Sequence, residues 1–122
     1  MMALRKRKRN RAAAYLGDLL RGNTDSLLLA LIGDSPMYGY SIMKEIERRT
    51  DGGLHFKEGT LYPALHRLER DGLIKGEWVA VNRMERRYYS LTEVGVEVLE
   101  RRREQWRQFS TAVNRIIGPE AS

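Results

Sequence analysis

The sequence contains no cysteine and no long apolar run. Without cysteine, neither disulfide bonds nor thiolate metal sites can form, and the composition fits a reducing cytoplasm. The longest apolar run, Leu27–Ile32, is far shorter than the roughly 20 residues that a membrane-spanning helix needs. Asp18 and Arg21 interrupt the apolar stretch that follows the basic start, which argues against a signal peptide. We therefore expect a cytoplasmic protein that does not enter a membrane.

Groups that carry out catalysis are also scarce. The two histidines, His55 and His66, are not accompanied by a tight carboxylate cluster, and no glycine-rich phosphate loop or serine nucleophile motif is present. Most carboxylates lie beside Arg or Lys on helix faces. We expect no catalytic residue, no metal and no cofactor, and a chain of 122 residues is long enough for one domain with a modest core. These features argue against an enzyme.

Excess charge is confined to one end of the chain. The formal net charge is +6, and residues 1–11 hold six basic residues and no acid. Removing those six from the 22 basic residues leaves 16, which equals the number of acidic residues. Residues 1–11 are therefore predicted to be a flexible basic arm. Three roles remain open for it: a DNA clamp, a nonspecific tether, or an artefact of the start site, as the Met1-Met2 pair would indicate.

The most informative segment is Gly59–Ile74, which reads as a short helix that leads into a strand. Thr60 is predicted to cap the helix, Pro63 to occupy its first turn, and Gly72 to end it in a left-handed conformation. Apolar residues recur at spacings of three and four and predict a buried face, while a polar stripe lies opposite. The buried face comprises Leu61, Ala64, Leu65 and Leu68, and the stripe comprises Thr60, Pro63, Arg67 and Arg70.

The order of the other elements predicts a winged helix-turn-helix. A short helix over Ala12–Arg21 and an apolar helix through Ile32 precede a helix that opens at Tyr38-Gly39-Tyr40. After the helix of Gly59–Ile74, strands over Leu73–Val81 and Arg86–Leu91 flank a loop of four residues, Asn82–Glu85. Leu54 and Phe56 alternate with polar residues and predict a short edge strand. The fold class is mainly α (α+β), with a two-stranded wing.

The last helix indicates a dimer. Thr92 caps a helix that runs to about Ile117, with an expected length of roughly 39 Å, so it must project from a domain of this size. Leu99, Trp106 and Val113 recur every seven residues along it, which is typical of a helix that packs against a partner helix. The Leu27–Ile32 helix is apolar on all sides and indicates a second contact with the partner. The predicted interface comprises Leu28, Leu31, Leu99, Trp106, Phe109, Val113 and Ile116.

Four segments resemble the PadR family of transcriptional regulators. They are Leu20–Thr24, Tyr38–Tyr40 with Ile42 and Ile46, the segment Gly59–Ile74, and Arg87–Gly95, in the family's order. The resemblance implies a winged-helix homodimer that usually represses genes and leaves DNA when a small molecule binds. It also implies an effector pocket lined by Tyr15, Trp106 and Phe109. Because Arg101, Arg102, Arg103 and Arg107 surround Trp106, the effector is expected to be aromatic or anionic, or absent.

The predicted partner is double-stranded DNA with a pseudo-palindromic operator. Arg67 is the best-placed residue for guanine O6 and N7, Lys57 for phosphate, and Arg83 for the minor groove. The complete set of predicted DNA-binding residues is Tyr38, Lys57, Thr60, Tyr62, Pro63, Arg67, Arg83 and Arg86. The predicted domains are the arm 1–11, a DNA-binding domain 12–91, a dimerisation helix 92–118 and a tail 119–122. Two alternatives are a winged-helix adaptor that binds a protein, and a nonspecific DNA binder that relies on the arm.

Overall fold

Four helices and one antiparallel pair of strands form the described part of the chain, residues 20–119 of a computed structural model. The predicted basic arm, Tyr15, most of the Ala12–Arg21 helix and the end of the tail lie outside the described residues. The predicted fold class and the order of helix, helix, helix, hairpin and long helix are confirmed. The elements are α1 Thr24–Asp34, α2 Gly39–Arg49, α3 Glu58–Arg70, β1 Ile74–Val81, β2 Met84–Leu91 and α4 Glu93–Ile117.

The apolar helix α1 is the centre of the core. It contacts α2, α3, β2 and α4, so most of its cover comes from within one chain. Leu28 is 0% exposed and Leu31 is 5% exposed, which means that neither has surface to offer a partner subunit. The expectation that these two residues lie at a dimer interface is therefore wrong. Leu99 of α4 is buried in the same core.

The hairpin is tighter than its sequence predicted. Strand β1 pairs with β2 from Ile74 opposite Leu91 to Val81 opposite Met84, so the turn holds two residues rather than four. Both turn residues, Asn82 and Arg83, have positive φ, as a two-residue hairpin turn that matches the strand twist requires. Met84 and Glu85 thus belong to β2.

A third segment of extended chain joins the sheet at an unexpected place. Met37 forms an isolated bridge with Tyr89 of β2, with backbone hydrogen bonds of 3.1 and 2.8 Å. The predicted edge strand at Leu54 and Phe56 is not formed, and Phe56 packs into the core from an irregular segment. The alternation of apolar and polar residues there reflected a loop that passes over the core.

Helix α4 begins at a sharp, well-capped corner. The amide of Gly95 donates to the Thr92 hydroxyl oxygen at 3.0 Å, and that hydroxyl donates to the Gly72 carbonyl at 2.7 Å. Gly72 has a φ of 79°, so the predicted left-handed end of α3 is confirmed. The helix has 25 residues and is about 37 Å long, as predicted for a helix that extends past its own core.

Candidate nucleic-acid interface

Helix α3 presents one buried face and one exposed face, as its spacing predicted. Leu61, Ala64, Leu65 and Leu68 are buried, whereas Thr60, Pro63, Arg67 and Arg70 are exposed. The helix starts earlier than expected: Lys57 is the N-cap, and its carbonyl accepts from the amides of Thr60 and Leu61 at 3.0 and 2.9 Å. Thr60 is therefore not the cap, and Pro63 lies one turn further into the helix than predicted.

Arg67 leaves this exposed face toward helix α1. Its Nη2 donates to Oδ1 of Asp25 at 2.5 Å, and the Arg67 side chain remains 45% exposed. Asp25 lies in the first turn of α1, where a carboxylate is stabilised by the helix macrodipole. This ion pair was not foreseen, because 42 residues separate its partners and only the packing of α1 on α3 brings them together.

Tyr62 lies on the opposite edge of α3, against the start of α2. A Cβ atom built on Gly39 would lie 2.5 Å from the Tyr62 hydroxyl oxygen. Only glycine at position 39 lets the tyrosine ring pass so close to the backbone. The exposed edge of Tyr62 is thereby held beside the first turn of α2.

Aromatic and basic side chains meet at that first turn. The rings of Tyr38 and Tyr88 lie 5.3 Å apart, and Tyr38 and Tyr40 are stacked at 6.5 Å. The Arg86 guanidinium lies 4.3 Å from the centre of the Tyr38 ring, and the Lys44 ammonium lies 5.0 Å from that of Tyr40. We call this group the tyrosine cluster. It joins α2 to one face of the hairpin and offers hydroxyl groups and cations to an anionic partner.

Tyr88 and Lys44 were missed by the sequence analysis, although faint signals pointed to both. Tyr88 is two residues from Arg86 on β2, so the two side chains share a face of the strand. Lys44 is four residues from Tyr40 on α2, which places them on the same helix face. Neither spacing reveals that the two faces meet across the Met37–Tyr89 bridge.

The other face of the hairpin is bound to α3 by Glu69. Its Oε2 accepts from Arg87 Nη2 at 2.6 Å and from the Gly76 amide at 3.1 Å. The Arg87 guanidinium also faces the rings of Trp78 and Tyr89, at 5.6 and 5.9 Å from their centres. The hydrogen bond with Glu69 raises the pKa of Arg87, and burial raises the pKa of Tyr89. Glu69 and Arg87 therefore attach the hairpin to α3, while Arg83 at its tip stays exposed.

Replacing Glu69 by alanine is expected to loosen the hairpin. The Gly76 amide would lose a charged acceptor, so its hydrogen exchange should accelerate at least tenfold, since a hydrogen bond to a charged group contributes about 1.5–3 kcal/mol. Exchange measured by NMR tests this. Glu77→Ala removes an exposed carboxylate from the same strand and should leave the Gly76 rate unchanged. Equal rates in Glu69→Ala and wild-type protein would contradict the role given to Glu69.

An apolar groove lies on the other side of the molecule, between α1 and α4. It encloses about 570 Å³ and has apolar walls, with polar groups at its rim. Trp106 and Phe109 form one wall, with ring centres 6.1 Å apart, and they are 55% and 61% exposed. Arg102 reaches across the rim and donates to the Ser26 hydroxyl oxygen at 3.2 Å. The other lining residues are Leu20, Gly22, Asn23, Leu27, Ala30, Leu54, Leu99, Arg103 and Gln105.

The apolar stripe of α4 continues beyond this groove. Val113 is half-buried, and Ile116 is 86% exposed near the end of the helix. Of the predicted interface, Trp106, Phe109, Val113 and Ile116 thus retain surface in a single chain, and Leu28, Leu31 and Leu99 do not. Leu27 and Ala30, which line the groove from α1, were not among the predicted interface residues and are partly buried.

Among residues 20–119, no group of three or more His, Cys, Asp or Glu side chains is arranged to hold a metal ion. Within the same range, no helix is both long and apolar enough to span a bilayer.

Comparison with known proteins gives consistent matches. Residues 28–101 match the transcriptional regulator PadR-like family. An uncharacterised protein from Lysinibacillus sphaericus is 34% identical over 98 residues, which are 80% of this chain and 90% of that protein.

Solved structures agree with this fold. The structure of a transcriptional regulator from Clostridium thermocellum is 34% identical, with a TM-score of 0.75, over 82% of this chain and 98% of that one. The structure of a PadR family transcriptional regulator from Eggerthella lenta is 29% identical, with a TM-score of 0.76, over 98% of this chain and all of that one. The matched segment holds α2, α3 and the hairpin, the elements that carry the exposed α3 face and the tyrosine cluster. This chain belongs to the PadR-like family of transcriptional regulators.

Proposed function

We propose that this DNA-binding regulator is a homodimeric repressor that leaves its operator when a small molecule occupies the groove between α1 and α4. The observation that carries the proposal is the exposed face of α3 beside the hairpin. A short helix with small, hydroxyl and guanidinium side chains fits a major groove, and the hairpin next to it reaches the neighbouring backbone. Supporting this, the exposed face consists of Thr60, Pro63, Arg67 and Arg70, and the exposed ring beside it, that of Tyr62, carries a hydroxyl group.

Within this proposal, α3 lies in the major groove. Thr60 and Pro63 face the bases or a thymine methyl group, Arg67 binds guanine, and Lys57 at the helix start binds phosphate. The exposed position of all four residues supports these roles.

The tyrosine cluster is assigned to the DNA backbone on the hairpin side. Tyr38 and Arg86 of this cluster, and the neighbouring Tyr62, lie beside the first turn of α2, and a helix N-terminus favours an anion. Arg83, exposed at the hairpin tip, is assigned to the minor groove.

The homodimer is proposed from the exposed stripe of α4. Trp106, Phe109, Val113 and Ile116 would leave a large apolar surface in water if the chain were alone, and such surfaces usually mark an interface. Their spacing of three and seven residues suits a partner helix. Two copies joined through α4 would place two α3 helices in successive major grooves.

The proposed effector is a small aromatic molecule with an anionic group. The groove has the size of a small-molecule site, and the rings of Trp106 and Phe109 offer a stacking surface. Arg103 lies at the rim and makes no ion pair with the described residues, so its guanidinium is available to a carboxylate. Binding would change the spacing of the two α3 helices and so weaken the operator complex.

Selection of bound fragments from genomic DNA tests the repressor proposal. We expect a pseudo-palindrome whose half-sites have centres about 34 to 36 Å apart along the duplex. Transcription from a reporter carrying the selected site should fall when the protein is present. Fragments that share no motif would point to the nonspecific binder instead.

Replacing Arg67 by alanine is expected to lower operator affinity by about 1 to 3 kcal/mol per half-site and to affect random duplex much less. A guanidinium that binds guanine contributes to affinity only where the sequence places guanine at that position. Fluorescence anisotropy with both duplexes measures the two affinities. Arg67→Lys is the matched control, because it keeps the charge and loses the bidentate fork. An equal loss on both duplexes would rule out base reading by Arg67.

One observation favours the adaptor as a second candidate. The hairpin exposes large apolar side chains, including Trp78 and Met84, on both of its faces. A protein partner would cover such side chains, whereas a phosphate backbone would not. Binding of random duplex after removal of the arm separates the candidates, since an adaptor would retain almost no affinity.

A further inference from the structure

The ion pair between Asp25 and Arg67 places a carboxylate beside a side chain that the proposed function assigns to DNA. A carboxylate is held 2.5 Å from the guanidinium that we assign to a base edge. The side chains are 23% and 45% exposed, so Asp25 is the more deeply set partner and Arg67 reaches out to it from α3. A carboxylate in this place would by itself repel the phosphates of DNA.

The geometry leaves Arg67 able to donate elsewhere. Arginine has five N–H donors in a rigid plane, and only Nη2 of Arg67 contacts Asp25. Bidentate binding of guanine needs two parallel donors, and the fork retains them beside the one that Asp25 uses. Asp25 can therefore hold Arg67 from behind while its outer edge faces a base.

Two physical effects follow from this contact. Fixing a long side chain before binding removes an entropy cost of about 0.5–1.5 kcal/mol that binding would otherwise incur. The negative charge of Asp25 also offsets the positive charge of Arg67, so the pair gains little from phosphate, which attracts by charge alone. The first effect favours the operator, and the second disfavours random DNA.

We propose that Asp25 is a positioning residue that sets sequence specificity: it holds Arg67 for a base edge and withholds it from phosphate. This inference rests on the proposed function, in which Arg67 reads a base. Asp25 touches no base itself and acts through Arg67. It also adjoins Ser26, which binds Arg102 at the rim of the groove, so the same turn of α1 contacts both α3 and α4.

Asp25→Asn tests the proposal on the full-length protein. Affinity for random duplex should rise, with a salt slope steeper by about 0.9 per protomer, because one more cation reaches phosphate. The ratio of operator to random affinity should fall about two- to tenfold per half-site. Glu58→Gln is the matched control, since Glu58 is an exposed first-turn acid of α3 without an ion pair among the described residues. It should raise both affinities together and leave the ratio unchanged.

A double-mutant cycle shows whether Asp25 acts through Arg67. In an Arg67→Ala background, Asp25→Asn should leave the specificity ratio unchanged. A parallel change in both affinities for Asp25→Asn, or a fall in the ratio that persists without Arg67, would overturn the proposal. Thermal unfolding measures whether each variant remains folded. If the wild-type protein itself fails to prefer the selected operator, the proposed function fails, and that result is distinct from a specific wild type whose ratio Asp25→Asn does not change.

Discussion

Replacing Trp106 by aspartate is expected to convert a species of twice the 14.2 kDa chain mass into a single chain. Trp106 is 55% exposed within one chain, so a charge there should not unfold the protomer, but it would be buried without a partner in a paired α4 stripe. Operator affinity should then fall by a factor on the order of 10² to 10⁴, because each half-site would be bound by a separate chain. Analytical ultracentrifugation and anisotropy measure the two effects.

Thr111→Asp provides the matched control for this change. Thr111 is exposed on the side of α4 away from the Trp106–Val113 stripe, so the same charge there should leave the dimer and the operator complex intact. Two results would contradict the dimer proposal: a wild-type protein that sediments as a single chain while binding its operator tightly, or a Trp106→Asp variant that remains paired.

Removing residues 1–11 is expected to have the second large effect, on the salt dependence of binding. The arm carries six of the 22 basic residues, and each phosphate contact contributes about 0.9 to the slope of log affinity against log salt. If all six reach phosphate, the slope should flatten by about five per protomer. Operator and random duplex should weaken alike, because counterion release does not depend on sequence.

Removal of the charge alone tests the same region without shortening the chain. Replacing the six basic residues by glutamine keeps the length and removes the charge, so it should reproduce the flattened slope. A slope equal to that of the wild type in both variants would show that the arm does not contact DNA.

These two predictions separate the proposed roles of the two ends of the chain. Loss of the α4 contact should act on operator affinity far more than on random duplex, because only paired half-sites gain from a dimer. Loss of the arm should lower operator affinity and random-duplex affinity alike. The Arg67 and Asp25 variants add a third pattern, a change in the specificity ratio with the dimer intact. Each pattern has its own physical cause, so one set of titrations distinguishes them.

Local sequence patterns predicted the order of the main helices and strands and the buried face of α3. Leu61, Ala64, Leu65 and Leu68 recur at helical spacing and are buried as predicted, because burial of one helix face is a local property of the repeat. The cap at Thr92 and the left-handed end at Gly72 follow from side-chain and backbone chemistry within a few residues. The four segments that resemble the PadR family were then sufficient to identify the family.

Local patterns failed where an environment comes from distant elements. The α1 helix is apolar on all sides, and nothing within it reveals whether its cover is a partner or its own chain. The structure places α2, α3, β2 and α4 around it, which buries Leu28 and Leu31 and leaves Leu27 and Ala30 at the groove. The same reason explains the error at Phe56, whose alternation is that of a strand and whose side chain enters the core.

The sequence by itself determined the order of elements, the buried face of α3 and the confinement of excess charge to residues 1–11, since each depends on neighbours along the chain. Only the tertiary structure decided which apolar residues remain exposed, that Tyr38, Tyr40 and Tyr88 meet, and that Arg67 has Asp25 as its partner. Tyr38 and Tyr88 are 50 positions apart and Asp25 and Arg67 are 42 apart, and the packing of α1 and the hairpin against α2 and α3 brings them together.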